Sequence, residues 1–157
     1  MYEKYIEIIN ANGGIITSKD ANKNGISRTI LSKMVKNKSI ERMDYGIYVT
    51  DEFIYDELFI FQMKHPNTVF SFNTALYLLN KTERTPEKFD VTTTRNNSLG
   101  YCKNITNIHR VNNEMIELGK IKVSTNTGKE VYSYNIERTI VDIISNRNII
   151  EIELANK

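Results

Sequence analysis

The sequence predicts an α+β protein in which three short helices and a hairpin, at residues 1–50, precede a small mixed α/β domain at residues 51–157. Two observations indicate this class. Apolar residues in the first part recur at helical spacing before they alternate as in strands. After Pro86 the helical periodicity gives way to short β-rich runs separated by Asn- and Gly-containing turns.

The first predicted helix has an apolar stripe whose members recur at spacings of three, four and seven. They are Tyr2, Tyr5, Ile6 and Ile9. The Asn-Gly-Gly run at residues 12–14 ends this helix, because glycine adopts the conformation that a helix C-cap needs. A short buried link of two isoleucines follows. Thr17 or Ser18 then caps a second helix, which ends at Gly25.

Ser27 is the predicted cap of a third helix. Ile30, Leu31, Met34 and Val35 form its buried stripe. Its exposed face is then Arg28, Thr29, Ser32, Lys33 and Lys36. A strand at residues 40–43, a turn at 44–46 and a returning strand at 47–49 complete the first part.

Helix, helix, tight turn, helix and hairpin is the layout of a winged helix-turn-helix, in which the third helix enters the major groove of DNA. The alternative is a small α+β bundle without a ligand. The winged-helix interpretation predicts DNA contacts from the starts of the second and third helices, the exposed face of the third helix and the wing. These residues are Thr17, Ser18, Lys19, Ser27, Arg28, Thr29, Ser32, Lys33, Lys36, Arg42 and Tyr45.

The charge distribution agrees with this prediction. Residues 1–50 contain eight basic and five acidic residues, whereas residues 51–157 contain thirteen basic and fourteen acidic ones. The segment from Thr17 to Arg42 contains seven basic residues and two acidic ones. A local basic excess is typical of a surface that binds a polyanion, although a solvated helix face has the same composition.

In the second part, Asp51 is the predicted cap of a helix that ends near His65, and Ser71 caps another helix through residues 74–79. Asn135 caps a further helix. Strands are predicted at residues 89–94, 105–111, 121–124 and 131–134, and another apolar helical run at residues 149–154. The chain stops inside that last run, which indicates a shortened form.

Composition excludes several classes of protein. No apolar run is long enough to span a bilayer, and the N-terminus lacks the pattern of a secretory signal. The single cysteine, Cys102, excludes a disulfide framework and a cysteine-based zinc site. We therefore expect a cytoplasmic protein that needs no cofactor and binds no metal.

Few residues are candidates for chemistry. His65 and His109 have no ligand partners at metal-binding spacing, and we expect no base near Cys102 to activate it, so we expect all three to be non-catalytic. A remote alternative is a metal-dependent nuclease built from Asp90, Glu117 and Lys120. We predict no enzymatic activity.

The second part instead offers candidates for binding a partner protein or RNA. Four basic residues surround the Pro86 loop, where side chains are free to meet an acidic surface. They are Lys81, Arg84, Lys88 and Arg95. Arg138 is a further candidate, although its spacing from Asp142 also predicts an ordinary ion pair across one helical turn.

Several segments resemble the AbiEi family, the antitoxins of abortive-infection (type IV) toxin–antitoxin systems. In the first part they lie at residues 12–20, 25–28, 31–32 and 45–49. In the second part they are Phe-Ser-Phe-Asn-Thr-Ala-Leu-Tyr-Leu at 70–78, Arg-Thr-Pro at 84–86 and Ile-Glu-Arg-Thr-Ile-Val-Asp at 136–142. Family members usually carry further helices beyond the position where this chain stops.

The resemblance implies an N-terminal winged helix that binds inverted repeats in the promoter of its own operon and represses it. It also implies a C-terminal domain that neutralises a nucleotidyltransferase-type toxin without forming a stable complex with it. The alternative is a standalone winged-helix regulator, or a protein-interaction module, with no toxin partner.

Overall fold

The computed structural model describes residues 1–146, so the helical run predicted at 149–154 lies outside the described residues. The mixed α+β class is confirmed: the described residues form six α-helices and two β-sheets. The chain divides into two compact units, of which the first is Met1–Tyr55 and the second begins at Asp56. No helix among the described residues combines the length and the apolar character needed to cross a membrane.

Three helices and a three-stranded antiparallel sheet form the first unit. Its elements are α1 (Glu3–Ala11), β1 (Ile15–Thr17), α2 (Ser18–Lys23), α3 (Arg28–Lys36), β2 (Glu41–Asp44) and β3 (Ile47–Val49). The strand order is β1-β3-β2, so the predicted buried link before α2 is an edge strand of this sheet. Ile9, Leu31 and Met34 are fully buried in the core that joins the helices to the sheet.

Local side-chain caps set the bounds of α2 and α3. Thr17 Oγ1 accepts a hydrogen bond from the Asp20 amide at 3.1 Å, and Ser27 Oγ accepts one from the Ile30 amide at 3.3 Å. Of the two predicted caps for α2, the structure therefore selects Thr17. Gly25 lies in the turn between these helices with φ +78°, a conformation that glycine adopts without steric cost.

The second unit is built around a five-stranded mixed sheet. Its elements are α4 (Glu57–Lys64), β4 (Val69–Phe70), α5 (Phe72–Leu78), β5 (Phe89–Thr94), a 3-10 turn (Gly100–Cys102), β6 (Thr106–Val111), β7 (Lys120–Ser124), β8 (Glu130–Tyr134) and α6 (Ile136–Ser145). The strand order is β6-β5-β4-β8-β7. Strand β5 runs parallel to β6, and β4 parallel to β8, whereas β4–β5 and β7–β8 are antiparallel.

A side chain completes the sheet next to the very short strand β4. The Gln62 carboxamide on α4 donates to the Tyr132 carbonyl at 2.9 Å and accepts from the Tyr132 amide at 2.6 Å. These two bonds have the pattern that a neighbouring strand would supply. Helix α4 thus takes part in the hydrogen bonding of β8.

The predicted start of α4 is wrong. Asp51 lies in a turn, and the helix begins at Glu57, where Asp56 Oδ1 accepts from the Phe59 amide at 3.0 Å. Asp56 is buried, and its other carboxylate oxygen accepts from Thr127 Oγ1 at 2.7 Å. Asp56 thus combines the helix cap with a hydroxyl partner that lies 71 residues away in the chain.

Candidate nucleic-acid interface

Helix α3 presents a basic face opposite an apolar face that packs into the core. All five residues predicted on its outer face are exposed, whereas Leu31 and Met34 on the other face are 0% exposed. Among the described residues, no acid pairs with Arg28, Lys33 or Lys36. Anchored on one side and unpaired on the other, α3 offers three cations and two hydroxyls to an anionic ligand.

At the start of α2, Lys19 is the predicted contact residue that is open to solvent. Thr17 and Ser18 are half-buried, and the Thr17 hydroxyl is engaged as the helix cap and with the Asp20 carboxylate at 3.0 Å. The Ser18 amide donates to the Gly46 carbonyl at 2.8 Å, which ties α2 to the hairpin turn. Of these three predicted contact residues, only Lys19 is exposed.

The β2–β3 hairpin carries an exposed Arg–Tyr pair near its tip. Tyr45 is 82% exposed, and the Arg42 guanidinium lies 5.5 Å from the centroid of its ring. Tyr45 therefore does not cover apolar surface of the hairpin. The pair gives this hairpin an exposed cation and an exposed aromatic side chain.

The basic loop predicted in the second unit is only partly assembled. Lys81, Arg84 and Lys88 are exposed and lie between α5 and β5, but Arg95 follows the other end of β5. Six residues of extended strand hold Arg95 about 20 Å from Lys88. The prediction of one patch of four is wrong, because the intervening strand separates its last member.

Arg138 is part of the protein core rather than of an exposed partner surface. It is 7% exposed, and its Nη1 donates to the carbonyls of Met115 and Leu118 at 2.7 and 2.6 Å. Its Nε donates to the Asp142 carboxylate at 3.0 Å, and the guanidinium stacks on Tyr134 at 4.1 Å. The predicted ion pair with Asp142 is confirmed, whereas the predicted availability of Arg138 to a partner is not.

The residues of the nuclease alternative are not brought together. Lys120, the first residue of β7, pairs with Glu117 at 3.3 Å, while Asp90 lies on β5, and strands β4 and β8 lie between β5 and β7. That separation is about 14 Å at the usual spacing of strands. Within residues 1–146, no three His, Cys, Asp or Glu side chains form a group that could hold a metal ion.

Two contacts between distant residues escape sequence reasoning. His109 Nε2 lies 3.2 Å from Asp90 Oδ1, and its ring stacks on Phe72 at 4.0 Å. The parallel register of β5 and β6 places Asp90 and His109 on one face of the sheet. The local sequence pattern does not predict that register.

The second contact joins His65 Nε2 to Cys102 Sγ at 3.4 Å, so the thiol does have an imidazole beside it, contrary to expectation. Burial lowers the pKa of His65 and raises the pKa of Cys102. Both shifts favour the neutral forms, whereas a nucleophilic cysteine needs the thiolate. The two side chains form a buried hydrogen-bonded contact.

No protein-family model matches the chain, and no curated protein matches it either.

Proposed function

We propose that this protein is a DNA-binding transcriptional repressor whose first unit is a winged helix-turn-helix. In this proposal α3 is the recognition helix, α2 braces against the DNA backbone, and the β2–β3 hairpin is the wing. The carrying observation is the exposed and unpaired basic face of α3, which follows the tight turn at Gly25.

The contacts divide by chemistry into two groups. Arg28 and Thr29 stand at the N-terminal end of α3, the part of a recognition helix that reaches base edges, and an arginine there binds guanine through two hydrogen bonds. Lys33 and Lys36 in the last turn, with Lys19 and Arg42, supply charge to phosphates. Specificity then comes from the first group, and most of the salt-dependent affinity from the second.

A mobility-shift titration tests this proposal. The full chain is titrated against the DNA upstream of its own operon and against an unrelated duplex of equal length and base composition. We expect tighter binding to the upstream DNA, with an affinity that falls steeply as salt rises. Equal affinity for the two duplexes at every salt concentration would contradict the proposed repressor function.

We also propose that the second unit acts as an antitoxin against a nucleotidyltransferase-type toxin. Support comes from the AbiEi-like segments at 70–78 and 136–142 in this unit. Helix α5 and helix α6, which contain most of these residues, pack on one another in the second unit. Their fit to the AbiEi pattern is what favours an antitoxin over a standalone regulator.

Co-expression with a nucleotidyltransferase encoded beside this chain tests the antitoxin function. We expect growth to be restored, with no complex that survives size-exclusion chromatography. Failure of rescue, with promoter binding intact, would leave a standalone winged-helix regulator.

A further inference from the structure

Strand β7 (Lys120–Ser124) forms one edge of the five-stranded sheet. It pairs only with β8, and no other described strand lies along its outer side. An unpaired edge presents backbone amides and carbonyls that an extended peptide satisfies by strand addition.

The hydrogen bonds at the two ends of the β7–β8 ladder show which backbone groups face outward. The Asn135 amide donates to the Gly119 carbonyl at 2.8 Å, and the Thr125 amide donates to the Lys129 carbonyl at 2.7 Å. Antiparallel pairing alternates, so the odd-numbered residues of this strand bond to β8. Lys122 and Ser124 therefore turn their amides and carbonyls toward the outer edge.

The side chains beside this edge select a negatively charged partner. Lys120 and Lys122 lie on the same sheet face as Tyr132, with their ammonium groups 4.4 and 5.8 Å from its ring centroid. Tyr132 is 38% exposed. Lys120 is half-buried and pairs with Glu117 at 3.3 Å, whereas Lys122 is exposed without an acidic partner among the described residues, so Lys122 supplies the unpaired positive charge at this edge. Ile121 and Val123 alternate with the lysines and face the other way, half-buried.

We propose that the outer edge of β7 binds an extended acidic segment of a partner protein by strand addition. Carboxylates at every second position of the added strand lie opposite Lys120 and Lys122, and apolar residues between them extend the surface of Ile121 and Val123. The site is independent of the DNA-binding proposal, because all of its residues belong to the second unit.

A capped nine-residue peptide in which glutamate alternates with valine is the probe. Titrated into the full-length chain, it is expected to slow hydrogen exchange at the Lys122 and Ser124 amides. The same peptide with lysine in place of glutamate is expected to have no effect, since it would place like charges opposite Lys120 and Lys122.

Two variants test the site itself. Lys122→Glu is expected to weaken peptide binding at least tenfold, whereas Lys103→Glu, the same charge change at another exposed position, is expected to bind as the parent does. Ser124→Pro removes an outward amide without breaking the ladder to β8 and is expected to abolish binding. Protected amides at Ile121 and Val123 show that the proline variant keeps its strand.

The proposal is overturned if the peptide leaves the Lys122 and Ser124 amides unprotected. It is equally overturned if Lys122→Glu and Lys103→Glu bind the peptide alike, because the recognition would then not involve this edge.

Discussion

Arg28 and Lys36 stand at opposite ends of the exposed face of α3, and the proposed function gives them different tasks. Arg28→Ala removes a base contact worth about 1–3 kcal/mol, which corresponds to a loss of operator affinity of about five- to 150-fold. Binding to unrelated DNA falls far less. Competition titrations with operator and non-operator duplexes measure both affinities.

Lys36→Ala is the matched control. It weakens binding to every duplex alike and reduces the slope of log K against log salt by about one, because one phosphate contact is lost. An unchanged operator affinity of the Arg28→Ala protein would show that Arg28 makes no base contact in the major groove.

His65 makes stability depend on pH. Burial lowers the pKa of His65 below its ordinary value of 6.5, so the folded chain holds this imidazole neutral at a pH where the unfolded chain takes up a proton. Its contribution to stability is full above pH 6.5 and is lost as the pH falls from there through the lowered pKa. Urea unfolding at pH 8 and at pH 5.5 measures this loss.

We expect His65→Gln to reduce the difference in unfolding free energy between the two pH values. His109→Gln, a change at the only other histidine, keeps the contribution of His65. Identical differences in the parent and in His65→Gln would contradict this assignment.

At the scale of whole elements, the proposed wing, which is the β2–β3 hairpin, gives a further prediction. Its exposed Arg42–Tyr45 pair is expected to contact the DNA backbone, Arg42 through phosphate and Tyr45 by packing beside it. Operator DNA should therefore shift the backbone NMR signals of residues 44–46. The hairpin turn at residues 126–128 of the second unit serves as an internal reference and should stay in place. An unshifted wing turn would exclude the contact.

Elements with local signals were predictable from the sequence. Thr17, Ser27 and Asn135 cap their helices within three residues, and each cap was identified correctly, with Ser18 as an alternative to Thr17. Strand β4 was missed because two residues carry no periodicity. The start of α4 was misplaced because the hydroxyl partner of Asp56 comes from residue 127.

The residues of the candidate site likewise separate into those with a local sequence signal and those whose position depends on distant residues. The exposed face of α3 was read from helical spacing alone, since a helix places residues three and four apart on one side. The separation of Arg95 from Lys88 follows from the strand predicted at residues 89–94. The burial of Arg138, in contrast, depends on carbonyl groups that lie 23 and 20 residues away in the chain. Local pattern holds no information on such packing.

Across the molecule, the proposed tasks divide at the boundary between the two units, but the net charge does not: residues 1–55 contain eight basic and seven acidic residues, and residues 56–157 contain thirteen and twelve. The basic excess lies within residues 17–42 of the first unit. Reversing the loop charges by Lys81→Glu, Arg84→Glu and Lys88→Glu together should abolish rescue from the toxin and leave promoter binding intact, since the loop belongs to the other unit. Growth rescue and mobility shift are measured on the same full-length variant.

Arg95→Glu is the control, because Arg95 lies beyond the far end of β5 and should leave rescue unchanged. If the triple variant retains both activities, the loop has no role in antitoxicity. If it loses both, the two units do not act separately.

The carboxamide of Gln62 has a consequence for how the second unit folds. By bonding to both backbone groups of Tyr132, it joins a helix near the start of this unit to a strand 70 residues later. Local opening of α4 would leave the backbone amide and carbonyl of Tyr132 on β8 without these partners, so we expect the two elements to unfold together as one cooperative segment. Because chain closure over such a distance is slow, formation of this segment is expected to limit the folding rate of the unit.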